Sequence, residues 1–220
     1  MSLSHSPSLV TSGLVLCLDA ANPRSYPGSG TVWKDISGTG STGTLTNGPT
    51  YNSANMGSIV FDGIDDIVDI NYTTALTRFT VTVWAYPTGY TGAAPAVITD
   101  KYPSLINYCI SCAGVWQGGI YQAGWYNSPT ATMSMNVWQC VTYTYDGTTQ
   151  GIYLNGAYVG GTTTYSGNPG CSGNGIRLGM RWDLPDMYAG KISDTQIYNR
   201  ALTAIEVAQN FNALRGRYGI

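Results

Sequence analysis

The sequence predicts an all-β protein in which two antiparallel sheets form a jelly-roll sandwich, with one short C-terminal helix. Three observations predict this fold. Short segments rich in β-branched and aromatic residues recur along the 220 residues, and Gly, Pro, Asn or Ser separates nearly all of them. Residues 79–86 alternate between two faces, which is the period of a β-strand. A capping-box pattern, the start signal of a helix, occurs at residues 203–206.

The two ends of the chain differ from its middle. Residues 1–12 are rich in Ser and Pro and lack periodicity, so we predict that they form an arm, and we expect a neighbouring subunit to hold it. Residues 13–215 contain no linker and no repeat with a period of roughly 20–50 residues, which predicts a single domain. Residues 216–220 then form a short tail.

The candidate strands begin with GLVLCLDA, and GSIVFDG and DIVDINY flank a turn further along. In RFTVTVWAY one face of the strand carries Phe79, Val81, Val83 and Ala85. The opposite face carries Thr80, Thr82, Trp84 and Tyr86. Asn155 and Gly156 are the strongest hairpin signal, because a type I′ turn requires a positive φ at both of its central residues.

One helix is predicted near the C-terminus. Thr203 is the expected N-cap, and Glu206 reaches back to it. Gly216 stands where a C′ residue belongs. The expected shared face is made of Ile205, Ala208 and Phe211, followed by Leu214. A lone terminal helix after many strands should pack on the outside of the sandwich.

The composition restricts the ligands that the surface can accept. Charged residues make up 10% of the chain and the net charge is −2, against roughly 25% charged residues in ordinary soluble domains. A surface of Thr, Ser, Asn, Gly and Tyr suits neutral, hydroxyl-rich ligands or burial in an assembly. It does not suit nucleic acid, because no basic stripe is present.

Two further partners and locations are not expected. No apolar run approaches the ~20 residues of a membrane span, so we expect no membrane partner. The start of the chain, MSLSHSPSLV, lacks the basic and apolar regions of a secretory signal. We therefore expect synthesis in the cytoplasm without a signal peptide.

Five segments in the same order carry a family resemblance: GLVLCLDAANP, SIVFDGIDDIVDI, FTVTVWAYP, VWQCVTYTYDGTTQGIYLNGAYVG and GKISDTQIYNRALTAIEVAQNFNALRGRYGI. Over roughly residues 13–218 the chain resembles the laminin-G-like branch of the concanavalin A-like lectin/glucanase superfamily. Both ends are similar to versions found in virion proteins of tailed bacteriophages. The resemblance implies a concanavalin A-like jelly roll with Trp84 and Trp138 in its core. Family members usually carry an aromatic residue where Cys17 stands here.

Glycoside cleavage is the enzymatic alternative that the superfamily raises. Retaining hydrolysis needs two carboxyl groups about 5–5.5 Å apart. The laminarinase-type members carry a Glu-x-Asp-x-x-Glu strand, whereas this chain has a single glutamate, Glu206, in the predicted helix cap. A Ser-His-Asp or Cys-His hydrolase is weaker still, because His5 is the only imidazole. The sequence therefore predicts a protein that is not an enzyme.

A calcium ion is the candidate cofactor. Asp62, Asp65 and Asp66 form the densest acidic cluster of the chain, and the resemblance implies that a rim of the sandwich can bind calcium. The alternative is that these aspartates cap a turn between two strands by bonding their own backbone, and that alternative is favoured.

The five cysteines have irregular spacing. Their odd number argues against a disulfide framework, and reduced thiols packed in strands are the favoured interpretation. Zinc held by four of them is the remaining alternative. Those four are Cys109, Cys112, Cys140 and Cys171.

Carbohydrate binding is predicted from aromatic residues mixed with amides, because sugar rings stack on aromatic faces. The candidates in one segment are Trp116, Tyr121, Trp125 and Tyr126, and Trp182 is a separate candidate. The alternative is an aromatic strand pair packed inside the sandwich or against a neighbouring subunit.

Together these features predict a non-catalytic structural protein of a phage virion, either a capsid decoration protein or a tail or fibre component. Its partners would be other virion proteins and further copies of itself in a symmetric oligomer such as a trimer. The second hypothesis is an adhesin module that binds a host surface polysaccharide. A glycoside hydrolase is the third.

Overall fold

The computed structural model describes residues 7–100, 109–111, 113–121, 124–163, 165–167, 169, 175–181 and 186–220. The strands of the first half are β1 Leu14–Asp19, β2 Val32–Lys34, β3 Thr42–Thr46, β4 Thr50–Asn52, β5 Ser58–Asp62, β6 Ile67–Ile70, β7 Phe79–Tyr90 and β8 Ala96–Asp100. Those of the second half are β9 Cys109–Ser111, β10 Val115–Tyr121, β11 Trp125–Thr132, β12 Gln139–Tyr145, β13 Gln150–Leu154, β14 Ala157–Thr162, β15 Ile176–Leu178 and β16 Tyr188–Tyr198. The helix α1 spans Ala204–Leu214, and 3₁₀ turns span Ala54–Met56 and Arg215–Arg217.

The strands form two antiparallel sheets. The first sheet has the order β14-β13-β12-β7-β16-β5-β4, with β1 also paired to β16. The second sheet has the order β11-β10-β9-β8-β15-β6-β3-β2. The predicted all-β, two-sheet jelly-roll sandwich with one short C-terminal helix is therefore confirmed.

The centre of the first sheet is the pair β7 and β16. One edge of β16 follows β7 from Tyr188 to Tyr198, with two irregularities in register. Its other edge pairs with β1, where Leu18 lies opposite Thr195, and with β5, where Phe61 lies opposite Gly190. Because β1 and β5 follow each other along one edge, β16 joins the N-terminal strands to the middle of the sheet.

The alternation in β7 separates two clusters of buried side chains. Phe79, Val81, Val83 and Ala85 are fully buried in the core between the sheets. Trp84 is equally buried but belongs to another cluster, on the outer face of the first sheet beneath the C-terminal segment. Trp84 and Trp138 are thus buried as the resemblance implied, but they pack outside the space between the two sheets.

Helix α1 lies on the outer face of the first sheet, as predicted. Thr203 caps it, with its hydroxyl accepting from the Glu206 backbone N–H while the Glu206 carboxylate accepts from the Thr203 N–H. Leu214 and Phe211 pack against Trp84 in the cluster below. This packing stabilises a helix that would be marginal alone at this length.

The predicted face of α1 is confirmed at Leu214, which is buried, and at Phe211, which packs against the same cluster, but it is wrong at Ile205. The buried helix residues are Val207, Asn210 and Leu214, while Ile205 is 82% exposed. The 3.6-residue period is compatible with either face of the helix. The face with Val207 was not predicted, because it also contains the polar residue Asn210. Gly216 directly follows the cap residue Arg215, as predicted for C′, but it lies inside the 3₁₀ turn and has no positive φ.

The described part of the predicted arm packs on its own chain. The Val10 N–H donates to Asn210 Oδ1 (2.8 Å), and the Val10 carbonyl accepts from the Tyr198 hydroxyl (3.0 Å). Gln209 Nε2 donates to the Ser8 carbonyl (2.8 Å). Residues 8–10 therefore dock on β16 and α1 of the same chain, while the neighbouring subunit stays a prediction.

The predicted tail is also part of the domain. Tyr218 is 6% exposed and stacks on Trp84.

The hairpin prediction is confirmed at the turn between β13 and β14, where φ is 50° at Asn155 and 77° at Gly156. A Cβ at Gly156 would lie 2.9 Å from Phe211 Cβ, so this turn also lies close to α1.

Candidate functional site

The hairpin of β10 and β11 carries most of the predicted glycan-binding residues, and its alternation divides them between two faces. Trp116 is fully buried in the core, where its indole N–H donates to Gln139 Oε1 (3.1 Å). It has no surface to offer a sugar. Trp116 is therefore removed from the candidates, because the pleat turns its side chain towards the other sheet.

Tyr126 also lies away from the outer face. It is paired across the strands with the buried Ile120. Its ring packs near Tyr165, with centroids 5.0 Å apart, and Tyr165 in turn packs near Tyr145. Tyr126 is partly exposed at the margin of the core, but it does not share a surface with Trp125.

Tyr121 and Trp125 are brought together on the outer face of the second sheet. They are opposite each other in the register of β10 and β11, and both are partly exposed. Their ring centroids are 5.4 Å apart at an interplanar angle of 61°. A Cβ at Gly119 would lie 3.1 Å from two ring carbons of Trp125, so a glycine there lets the indole lie close to the strand.

Arg181 completes this arrangement, although no pattern in the sequence predicted it. Its guanidinium carbon lies 4.9 Å from the centroid of the Trp125 ring, within the range of a cation–π interaction. We call Tyr121, Trp125 and Arg181 the aromatic surface. Arg181 directly precedes the predicted candidate Trp182, and Trp182 itself lies outside the described residues.

The middle of the same outer face carries a neutralised charge pair. Arg177 of β15 lies beside Asp69 of β6 in the register. Arg177 Nε donates to Asp69 Oδ1 (2.8 Å) and Arg177 Nη2 donates to Asp69 Oδ2 (3.2 Å). This two-point pairing fixes both side chains in one plane and leaves no net charge between them.

The three predicted calcium ligands come together at the turn between β5 and β6. One ligand oxygen from each of Asp62, Asp65 and Asp66 lies within 4.8 Å of the others. The predicted turn-capping role is present as well. Asp62 Oδ1 accepts from the Ile64 N–H (2.8 Å), and Asp66 Oδ2 accepts from the Asp62 N–H (2.9 Å).

The donor set fits a hard divalent cation. Oxygen ligands from carboxylates are what calcium prefers. Each of Asp62 and Asp66 uses one carboxylate oxygen in these turns and has no hydrogen bond from the described residues at the other. Burial raises the pKa of Asp66, and the negative charges of Asp62 and Asp65 raise it further, although the backbone hydrogen bond lowers it. A cation would relieve that repulsion.

The described cysteines are buried thiols. Cys17 and Cys140 are both free and buried, and burial raises the pKa of each thiol far above its usual value. Cys140 belongs to the cluster beneath the C-terminal segment. Cys112, Cys171 and the side chain of Cys109 lie outside the described residues, so the zinc alternative stays a prediction.

The single glutamate, Glu206, forms an ion pair with Arg200 at the start of α1. Glu206 Oε1 accepts from Arg200 Nη2 (2.6 Å), and Glu206 Oε2 accepts from Arg200 Nη1 (2.9 Å). The hydrogen bond from Arg200 lowers the pKa of Glu206 to about 2, with further lowering from Thr203. A carboxyl group with so low a pKa is ionised at neutral pH and is a poor general acid.

An antiparallel two-sheet sandwich with a terminal helix and partly exposed aromatic residues on an outer sheet face is typical of lectin-like jelly-roll domains. The family comparison agrees with this geometry. Residues 62–208, more than half of the chain, match the model Laminin_G_3, described as the concanavalin A-like lectin/glucanases superfamily. The chain belongs to this superfamily.

Solved structures of similar shape are mostly binding domains. Domain 4 of AbnA, a GH43 extracellular arabinanase from Geobacillus stearothermophilus in complex with arabinotriose, has a TM-score of 0.73 and 19% identity, covering 90% of this chain and 98% of that one. The receptor binding domain of botulinum neurotoxin type G has a TM-score of 0.71 and 17% identity, covering 91% of this chain and 51% of that one. The binding domain of botulinum neurotoxin DC in complex with SialylT has a TM-score of 0.74 and 15% identity, covering 93% and 52%.

These likenesses establish the fold. The chain spans about half the length of the toxin binding domains that it matches. A comparison with curated protein sequences finds no significant match. Among the described residues, α1 and the short turns include no helix with the length and apolarity needed to cross a bilayer.

Proposed function

We propose that this chain is a non-catalytic glycan-binding domain of a phage virion, in a capsid decoration, tail or fibre protein. One observation carries the glycan-binding part: Tyr121 and Trp125 lie together, partly exposed, on the outer face of the second sheet. Aromatic rings in this position offer the apolar face on which the C–H side of a sugar ring stacks.

The surroundings of the aromatic surface support a sugar ligand. Gln117 and Asn127 follow the same alternation as Tyr121 and Trp125, which places both amide side chains on that face. Gln117 Nε2 donates to the Ser128 carbonyl (3.0 Å), which holds this amide in position. Arg181 places a guanidinium group beside the Trp125 ring. Apolar rings flanked by a few amide and guanidinium groups are the usual composition of a sugar site.

Two of the carboxylates support a binding role in preference to hydrolysis. Glu206 is committed to the helix cap and to Arg200, and its lowered pKa makes it unfit as the general acid that glycoside cleavage requires. Asp69, which lies on the outer face of the second sheet, is paired with Arg177.

Two sequence features support the virion context. Both chain ends resemble those of tailed-phage virion proteins, and charged residues make up only 10% of the chain. An uncharged surface can be buried against another subunit without the cost of desolvating charge. The proposed partners are other virion proteins and further copies of this chain in a symmetric oligomer.

A glycan array with the wild type and two variants tests the glycan-binding proposal. Trp125→Ala should weaken binding to any positive polysaccharide by about tenfold or more, since stacking of this kind contributes on the order of 1 kcal/mol beyond the buried area. Ile205→Ala, at an 82% exposed site on α1, is the control and should bind like the wild type. An array with no positive glycan for the wild type overturns the proposal.

The virion proposal has a separate test. Purified particles of the phage that encodes the chain should contain it in a fixed copy number, measured by quantitative mass spectrometry. A variant without residues 1–6, which keeps the docked residues 8–10, should reattach poorly to particles that lack the protein. Absence of the chain from purified particles contradicts the virion context, and full reattachment removes residues 1–6 from the attachment.

We also propose calcium at Asp62, Asp65 and Asp66, supported by the spacing of their oxygens. Calcium should raise the unfolding temperature of the wild type, and magnesium should do so less because it demands a stricter octahedral geometry. Asp65→Asn should reduce the calcium-dependent shift, since Asp65 carries no turn-capping side-chain hydrogen bond among the described contacts. An unfolding temperature that is the same in calcium and in a chelator contradicts this site.

A further inference from the structure

A groove of about 360 Å³ lies on the outer face of the first sheet, opposite the aromatic surface. One wall is formed by β12, β13 and β14, and the other by the segment that leads into α1. Tyr153 and Tyr158 lie opposite each other across β13 and β14, with ring centroids 5.1 Å apart at 60°. Tyr158 is 57% exposed, so much of its ring faces solvent. We call this cavity the tyrosine groove.

The absence of a side chain at Gly151 leaves room for the groove. A Cβ there would lie 2.8 Å from Thr144 Oγ1 and 3.5 Å from the Cε2 atoms of both Tyr153 and Tyr158. Gly151 has no positive φ that would by itself require glycine. The glycine therefore keeps the base of the groove open between a hydroxyl and two rings.

The polar lining offers both acceptors and donors. Thr144, Thr149 and Asp146 line the groove. Asp146 Oδ1 accepts from the N–H groups of Thr148 (2.9 Å) and Thr149 (2.7 Å), whereas Oδ2 has no hydrogen bond from the described residues. Burial alone would raise the pKa of Asp146, but these backbone N–H groups, the Thr148 hydroxyl and the charge of Arg78 together lower it, so the carboxylate stays an ionised acceptor.

The start of α1 borders the groove. Ala204, which lines the groove, is the first residue of the helix. The groove thus places an exposed ring, hydroxyl groups and one carboxylate around one cavity.

We propose that the tyrosine groove is a second carbohydrate site, and that it binds a neutral oligosaccharide. The ring of Tyr158 matches the apolar face of a sugar, while Asp146 and the threonine hydroxyls match its hydroxyl groups. Asp146, the one charged side chain among the described lining residues, disfavours an acidic sugar. The volume lies within the roughly 300–1,000 Å³ of small-molecule sites. This site goes beyond the proposed function, because it lies on the other sheet and shares no residue with the aromatic surface.

Amide NMR titration of the full chain tests the groove, with cellotriose, maltotriose and mannotriose as neutral probes and tri-galacturonate as the acidic probe. Each probe is added to about 10 mM, tenfold above a Kd of ~1 mM, so that weak binding is detected. The expected result is a shift of the Thr149, Gly151 and Ala204 amides with at least one neutral probe and none with the acidic probe.

Two variants separate the groove from the aromatic surface. Tyr158→Ala should weaken the groove titration by about tenfold, and Trp125→Ala should leave it unchanged. Asp146→Asn keeps the shape and should also weaken it, while the exposed-site control Ile205→Ala should not. No groove shift with any of the three neutral probes overturns the second site, as does a titration that Tyr158→Ala does not alter. Shifts confined to the Trp125 surface overturn the groove while supporting the proposed function.

Discussion

The ring of Tyr218 is stacked on the indole of Trp84, with centroids 4.1 Å apart and an interplanar angle of 18°. Trp138 lies on another side of Tyr218, with centroids 4.7 Å apart. Three aromatic rings therefore meet in one cluster: one from β7, one from the residue that precedes β12 and one from Tyr218 near the C-terminus. The C-terminal end of the chain therefore packs against β7, at the centre of the first sheet.

Loss of this ring should destabilise the domain. Tyr218→Ala should lower the free energy of unfolding by about 3–5 kcal/mol, the usual cost of removing a buried aromatic side chain. Tyr218→Phe keeps the stack and should cost less than about 1.5 kcal/mol. Urea unfolding followed by tryptophan fluorescence measures both. Equal stability of the alanine variant and the wild type would contradict the packing described above.

Close packing between the sheets leads to a second prediction. A Cβ at Gly118 would lie 2.2 Å from Tyr143 Cδ2, so the buried ring would have to move. Gly118→Ala should cost about 1–3 kcal/mol through overpacking. Gly124→Ala, where nothing lies within 4 Å of the new Cβ, is the matched control and should be nearly neutral. A thermal unfolding comparison that ranks the two variants equally would be inconsistent with this core.

Asp194 should make the domain less stable as pH rises. Burial raises the pKa of Asp194 well above its usual value, and the charge of Asp19 raises it further, while Arg217 lowers it. The unfolded chain releases this proton near pH 3.8 and the folded chain at higher pH, so stability falls with rising pH between the two values.

Asp194→Asn removes that titration. Gln196 Nε2 donates to Asp194 Oδ1 in the wild type (2.7 Å), and an asparagine oxygen can accept the same bond. The variant should therefore gain stability relative to the wild type as pH rises above about 4, with little difference below. Unfolding in urea at several pH values measures this. If the variant were less stable than the wild type by the same amount at every pH, the titration of Asp194 would not be the cause of the pH dependence.

Glu206 should show the opposite pH dependence. Its pKa is lowered from 4.5 to about 2, first by Arg200 and then by Thr203. The resulting stabilisation is complete above about pH 5 and is lost as pH falls towards 2. Glu206→Gln should cost about 1 kcal/mol at pH 7, since the pair is partly exposed and screened, and nothing near pH 2. A loss that is independent of pH would exclude the ion pair as its cause.

Local sequence patterns predicted the parts of this fold that depend on near neighbours. The alternation of β7, the capping box at Thr203 and Glu206 and the turn at Asn155 and Gly156 were all predicted correctly, because each reflects backbone geometry over a few residues. The failures have a different origin. The helix face was wrong at Ile205, because Asn210 is buried by a hydrogen bond to the distant Val10.

The site could be predicted only in part for the same reason. Aromatic residues mixed with amides indicated the β10–β11 hairpin, but composition does not say which side of a strand faces the core. Trp116 faces inward and Trp125 outward, and one bulge between Gln117 and Gly119 contributes to that division. No pattern in the sequence places Arg181 over Trp125.

The sequence by itself determined the class of the protein: a weakly charged β-sandwich with a capped terminal helix and a family resemblance that the fold confirms. Tertiary structure alone decided which aromatic rings are buried, where residues 8–10 pack and how Tyr153 and Tyr158 come to flank an open groove. The physical reason is the separation along the chain of the residues that interact. Strand period, turns and caps arise from neighbouring residues, whereas burial and pairing depend on strands far apart in the chain that meet only when the two sheets close over one core.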